Sequence, residues 1–434
     1  MSESDERTYK VDLLTRVEGE GRFRLRMKDG EVLEAELSIF ESPRFFEAFL
    51  RGRGHEEVVD IVARICGICP VAYQMSASRA IERALGITPS EPIRKLRRLM
   101  YCGEWVESHA LHVYMLHAPD FLGYASAIEM ARDHRALVER GLAVKKAGDE
   151  LIALLGGRAT HPISARVGGF TKAPARAALQ AFAPALERAL EGSVETVRWA
   201  ASLPMPEVEN DYVFVALRDE DAYPIESGET IAVSGRGDVP LDAWGDAIDE
   251  HHVPHSNALH ARLKDGTAYL TGPMARLYHA AELLHPTAAE LMREVGLPRE
   301  VKNPYRSIVV RAVEIVHALA EALDLVRGYV APEAPFASAE PRASSGCGAT
   351  EAPRGLLWHR YALSESGHVE DARIVPPTSQ NQARIEADLA SLGPLLVTME
   401  HEAATRLCEQ LIRAYDPCIS CATHFLDLRI EADE

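Results

Sequence analysis

Along this chain the spacing of apolar residues switches between the two-residue period of strands and the three-to-four-residue period of helices. Val11-Asp-Leu-Leu14 and Phe23-Arg-Leu-Arg-Met27 alternate, Lys28-Asp-Gly30 signals a tight hairpin, and residues 32–40 read as the returning strand. From Glu56 the helical period takes over. It predicts helices over 56–65, 76–85, 93–116, 130–155 and 173–203, with Ser90-Glu91-Pro92 as a start signal and Gly156-Gly157 as a stop. Residues 204–272 lose that period, carry short β-like runs at 212–217 and 230–233, and read as an α+β insertion. Helices resume over 274–295 and 304–330. A loop rich in Pro, Ser and Gly is expected over 331–348, then a hairpin-like stretch up to Pro376-Pro377, then a helix over 382–415 ended by Asp416-Pro417. The fold class expected is mainly α with α+β additions: a long-helix bundle with an N-terminal β region over 1–43, forming a single domain over 1–434.

Composition narrows the function classes. An apolar fraction of 47% supplies a sizeable core, and a formal net charge of −18 argues against nucleic acid or an anionic membrane surface as the main partner. No apolar run approaches the roughly 20 residues of a membrane span. The polar, acidic start Met1-Ser-Glu-Ser-Asp-Glu-Arg7 is unlike a secretory leader. Seven cysteines in so long a chain do not make a disulfide framework, and the expectation is a reduced, cytoplasmic protein.

Four of those cysteines form two Cys-x-x-Cys pairs near opposite ends, in Arg64-Ile-Cys66-Gly-Ile-Cys69-Pro70 and Asp416-Pro-Cys418-Ile-Ser-Cys421-Ala-Thr-His424. Together they offer four thiolates, the donor set soft transition metals prefer. Cys69 precedes a helix start, where backbone amides and the helix dipole favour thiolate. Cys418 and Cys421 fall in a turn just past a helix that Pro417 cannot continue. Three uses compete. A structural zinc site ordinarily organises a small module, whereas these pairs are far apart in a chain that needs no staple. A thioredoxin-like redox pair needs one Cys-x-x-Cys after a strand in a βαβ unit, a setting neither pair has. The third use is a catalytic metal centre on a large helical body. Cys102, Cys347 and Cys408 are isolated and read as small core residues.

The flanking residues favour the third use. Thr15-Arg-Val-Glu-Gly-Glu-Gly21, Ser108-His109 with His112, His117 and Asp120, Glu351-Ala-Pro-Arg-Gly355, and Pro377-Thr378 with Asn381 accompany the two cysteine motifs in one order. From about residue 8 to residue 424 the chain resembles the large subunit of nickel–iron hydrogenases, in particular the cytosolic, bidirectional, NAD(P)-linked branch that includes sulfhydrogenases.

That resemblance implies a nickel–iron hydrogenase large-subunit fold and reversible heterolytic cleavage of H2. Cys66 and Cys418 would be terminal nickel ligands, with Cys69 and Cys421 bridging to an iron that carries CO and cyanide. Glu18 would relay protons, although outside the motif it would read as an exposed turn glutamate. Arg354 would overhang the metals, paired with Asp416, and Pro353 would contact the diatomic ligands. Glu47, the backbone carbonyl of Ile374 and His424 would hold a magnesium-type ion. Two positions depart from the family pattern: Tyr73 stands where a histidine is common, and Ser108 where many relatives have an aspartate. With four thiols committed, the chain has too few to hold an electron-relay cluster of its own. The resemblance therefore implies a small Fe–S subunit, a flavin/NAD(P) diaphorase subunit with its own Fe–S clusters, and transient nickel chaperones. It also implies a maturation protease cutting after His424, which makes 425–434 a removable tail. Other soluble acceptors (a heterodisulfide reductase, a deazaflavin enzyme, polysulfide) stay open. So does a non-enzymatic, complex I-like role, although such relatives have lost the cysteines retained here.

Overall fold

The computed structural model describes residues 6–423. Its N-terminal part is a three-stranded antiparallel sheet of Glu6–Val11, Gly21–Lys28 and Glu31–Ile39, in that order. The hairpin between the last two turns on Asp29 and Gly30, both at positive φ (50° and 86°), the conformation a two-residue turn needs to match the strand twist. Leu13 and Leu14 do not extend the first strand. Leu14 instead donates its amide to Gly21 and starts the loop that carries Glu18.

The body is helical. Pro70–Leu85, Glu91–Ala110, Arg135–Gly156, Arg176–Ala201 and Ser307–Arg327 are its long helices, and Ser307–Arg327 is apolar almost all round because it is buried by its neighbours. Glu91–Ala110 runs on into a π-helical stretch, Leu111–His117. Three expected helices are each divided. His134, outside helical geometry, separates Ala127–Asp133 from Arg135–Gly156. Pro286 starts a new helix, Pro286–Glu294, after Pro273–Ala280. Residues 382–415 are shared among Pro377–Ser391, Gly393–Leu396 and His401–Tyr415. In the last two cases the pieces cover the same core, through Leu277 and Leu291 in one and through Ile385, Leu396 and Leu411 in the other, so the apolar period continues across the breaks.

The expected loop over 331–348 is corrected in its last part, where Ser344–Ala352 is a strand leading a three-stranded antiparallel sheet with Gly355–Leu363 and Val369–Val375. The strand lies directly on the Pro70–Leu85 helix. A Cβ on Gly346 would stand 2.3 Å from Ala80 O, and one on Gly348 2.5 Å from Ala80 N. Glycines that read as loop-formers are there so that strand and helix backbones can touch. Residues 213–271 add a four-stranded sheet and a hairpin, Ile248–Val253 with Ser256–Leu263. Their apolar residues, among them Val215, Ile231 and Trp244, share a second core with Leu356 and Trp358 of the three-stranded sheet. Among the described residues no helix is long and apolar enough to cross a membrane.

Candidate metal centre

The two cysteine pairs meet. Cys66 Sγ is 3.4 Å from Cys418 Sγ, Cys69 Sγ is 3.7 Å from Cys421 Sγ, and all four sulfurs lie within 4.8 Å of one another. All four are buried. Local geometry aims them: the amides of Ile68 and Cys69 point at Cys66 Sγ (3.3 and 3.4 Å), with Cys69 as N-cap of Pro70–Leu85. At the other end Asp416 takes a left-handed conformation (φ 55°), which ends His401–Tyr415 and turns Cys418 inward.

The electrostatics call for a cation. Hydrogen bonds from Cys418, Cys421 and Cys69 push the Cys66 thiol well below its ordinary pKa, whereas burial pushes Cys418 and Cys421 up. Four soft donors packed this closely cannot all ionise without a compensating metal charge. Arg354 adds to the site from the two-residue turn Pro353-Arg354, which links Ser344–Ala352 to Gly355–Leu363. Its Nε donates to Asp416 O at 2.7 Å and its Nη2 to Asp416 Oδ1 at 3.0 Å. Nη1 is buried with no hydrogen-bond partner among the described residues. Burial opposes the guanidinium charge, but Asp416 and the sulfurs of Cys418, Cys69 and Cys66 outweigh it and raise its pKa. Four converging sulfurs beside an orphaned cationic donor fit a bimetallic thiolate centre with a small ligand on its open side. Pro353, also buried, uses its carbonyl to accept from Arg276 and Arg311.

Glu18 reaches the cluster. Its Oε2 is 3.2 Å from Cys418 Sγ and accepts the Ser420 amide at 3.0 Å, while its carbonyl accepts from Ile419. Gly19 makes this seating possible: at φ 88°, a Cβ there would be 2.6 Å from Ile419 Cβ. The Ser108–Asp120 segment anchors the same loop, because Asp120 Oδ1 binds both Arg16 (2.6 Å) and Arg413 (2.8 Å). Ser108 itself is buried, and its hydroxyl has no partner among the described residues. Tyr73, also buried, is held protonated by burial and by the charges of Cys421, Cys69 and Cys418, and its ring leans on His359 at 5.7 Å.

Glu47 and Ile374 come together. The Ile374 amide donates to Glu47 Oε1 at 2.7 Å, and burial pushes this carboxyl up to about 7. His424 and residues 425–434 lie outside the described residues. Glu351 turns out to be a scaffold group, accepting the Leu217 amide (2.7 Å) and an Arg276 hydrogen bond (3.1 Å).

The roles of five residues escaped the sequence reading. Arg44 donates to the carbonyls of Ile65 and Ser420 and so ties the two cysteine loops together. Glu104 accepts the Val71 and Ala72 amides (2.6 and 3.0 Å) at the helix start behind Cys69. Its signal was a glutamate in the otherwise apolar stretch Leu99–Val106. The Thr378 hydroxyl accepts the Cys418 amide at 3.0 Å, Arg311 faces Asp416 Oδ2 at 3.6 Å, and Glu41 Oε1 accepts from Ser420 Oγ at 3.3 Å.

Known proteins resemble this chain over nearly its whole length. Residues 44–141 and 298–424 match the family described as nickel-dependent hydrogenase. The alpha chain of sulfhydrogenase 1 from Pyrococcus furiosus is 36% identical over 423 residues, covering 96% of this chain and 98% of that one. A chain of the "F420-non-reducing hydrogenase" of Methanothermobacter marburgensis is 29% identical, covering 96% and 94%. Among solved structures, a crystal structure of "NAD+-reducing [NiFe]-hydrogenase in the H2-reduced state" matches with a TM-score of 0.87 at 27% identity, covering 96% of this chain and 99% of that one. With the four-sulfur cluster in place, the chain belongs to the nickel-dependent hydrogenase family, as a large, catalytic nickel–iron subunit.

Proposed function

We propose that this protein splits and forms H2 reversibly and exchanges electrons with NAD(P) by way of two partners, a small Fe–S subunit and then a flavin subunit. The observation that carries the catalytic part is the buried four-sulfur cluster with Glu18 Oε2 3.2 Å from Cys418 Sγ on one side and the unpartnered Arg354 Nη1 on the other. Cys66, Cys69, Cys418 and Cys421 would together hold a nickel–iron centre, which would supply heterolytic cleavage of H2. Cys418 and Glu18 manage the proton: the thiolate is the nearest base and the carboxylate the next acceptor. Beyond Glu18, the Ser420–Glu41 contact gives an outward continuation. Arg354, fixed by its two bonds to Asp416, aims Nη1 where H2 must sit and excludes water there, and Pro353 supplies apolar contact beside it. Tyr73 takes the histidine's place beside the bridging sulfurs. Glu47 and Ile374, which the structure brings together, would with His424 hold a magnesium-type ion.

The NAD(P) assignment is supported by the likeness to the NAD+-reducing enzyme. A different soluble acceptor is the second reading, favoured by the likeness to the "F420-non-reducing" hydrogenases. Purification of the cytoplasmic complex from its native cells tests both. Infrared bands of iron-bound CO and cyanide with H2-driven reduction of NAD(P)+ are expected. Bands without pyridine-nucleotide reduction would transfer the chain to the second reading, and a complex lacking both bands and nickel would refute the metal assignment.

A further inference from the structure

A second group of metal-binding side chains lies outside the cysteine centre. His255 stands in the turn of the Ile248–Val253/Ser256–Leu263 hairpin, His260 on its second strand, and Glu386 on the Pro377–Ser391 helix. One ligand atom from each falls within 4.8 Å of the others. His255 Nε2 is 2.7 Å from Glu386 Oε1, and His260 Nδ1 is 3.7 Å from Glu386 Oε2. Tetrahedral zinc with ligand bonds of about 2.1 Å sets its donors about 3.4 Å apart, a spacing small side-chain shifts reach from here.

Two observations point to a ligand rather than to an ion pair alone. His260 is buried, yet its Nε2 has no hydrogen-bond partner among the described residues, and its Nδ1 is too far from Glu386 for a hydrogen bond. Glu36 Oε1 stands 3.6 Å from His255 Nδ1, on the ring edge opposite Glu386. A carboxylate there needs to close by only about half an ångström to make the hydrogen bond that orients a metal-bound imidazole. Glu386 is itself positioned, accepting the Leu37 amide at 3.0 Å.

We propose that His255, His260 and Glu386 form a second divalent transition-metal site, of the nitrogen-and-oxygen type that suits Zn2+, with Glu36 orienting His255. The bound ion would join the N-terminal sheet, the hairpin and the Pro377–Ser391 helix at one point. That helix supports Cys418 through Thr378, and Ala258 of the hairpin packs on Ile419, between the two C-terminal cysteines, and on Ala422, just after them. The site is thus a brace behind the C-terminal cysteine motif, one apolar layer away.

Equilibrium dialysis of the purified hydrogenase complex against Zn2+, followed by elemental analysis, tests this with nickel as internal standard. About one zinc per nickel is expected in the natural protein. In His255→Gln and Glu386→Gln the zinc content should fall at least about tenfold, since losing a ligand costs more than losing an outer partner. Nickel and iron should be unchanged. The zinc K-edge X-ray absorption should show nitrogen and oxygen neighbours without sulfur. No zinc uptake, equal uptake by both variants, or a sulfur shell would overturn the proposal. The sulfur result would place zinc in the cysteine cluster instead.

Discussion

Replacing Glu18 by glutamine isolates proton transfer from everything else the residue does. The backbone keeps its seat, because the Glu18 carbonyl still accepts from Ile419 and Gly19 still clears the Ile419 side chain. The amide oxygen of glutamine can still accept the Ser420 amide, now 3.0 Å from Oε2. What disappears is a group able to take a proton from Cys418 Sγ across 3.2 Å. A positioned acid–base group contributes about 10²–10⁴-fold, which is roughly 2.7–5.5 kcal/mol of barrier. The exchange of D2 with water, followed by membrane-inlet mass spectrometry, should slow by that factor while nickel and iron per chain stay constant. Glu18→Asp gives a second point. One methylene less draws the carboxylate back by about 1.5 Å, beyond hydrogen-bond reach of the sulfur, so a smaller but clear loss is expected. Exchange within about threefold of the natural protein, at full metal content, would refute the relay assignment.

Cys421→Ser replaces a soft sulfur donor by a hard hydroxyl and should leave the protein without nickel and iron by elemental analysis; retained metal would remove Cys421 from the ligand set. Arg354→Lys cannot reproduce the fork that holds Asp416 through two bonds. Nickel should remain while H2 oxidation falls on the order of 100-fold, and full activity would mean that Nη1 has no part in the reaction. Burial pushes the Glu107 carboxyl up to about 8, against Lys145 at 3.4 Å. The folded state then keeps a proton that the unfolded chain has released above about 4.5, so this group's contribution to stability falls as pH rises from about 4.5 to 8, by at most about 1.4 kcal/mol per unit. Thermal unfolding of Glu107→Gln between pH 5.5 and 7.5 should therefore fall less steeply than that of the natural protein, and parallel curves would contradict this.

Much of the site was legible because its chemistry is local. Two Cys-x-x-Cys motifs, each at a helix boundary marked by proline, announce their donors wherever the chain later puts them. Glu18 was legible only through Val17-Glu18-Gly19, since a glutamate in a turn is otherwise unremarkable. The roles of Arg44, Thr378, Arg311 and Glu41 were not legible, because each acts on a residue far along the chain or through a backbone group that no pattern encodes. The divided helices were missed for the related reason that one core can impose a single apolar period on two consecutive helices.

By itself, then, the sequence determined the donor atoms, the helical character of the body, the N-terminal hairpin and the stop at Asp416-Pro417, all of which depend on residue type and near neighbours. Tertiary structure decided what distance along the chain conceals. It brought Cys66 within 3.4 Å of Cys418, turned the Gly346/Gly348 stretch from an expected loop into a strand lying against a helix backbone, and placed His255 and His260 beside Glu386. The physical reason is that backbone contact and buried-charge pairing are settled by long-range packing, and a residue's neighbours in space carry no signature in its neighbours in sequence.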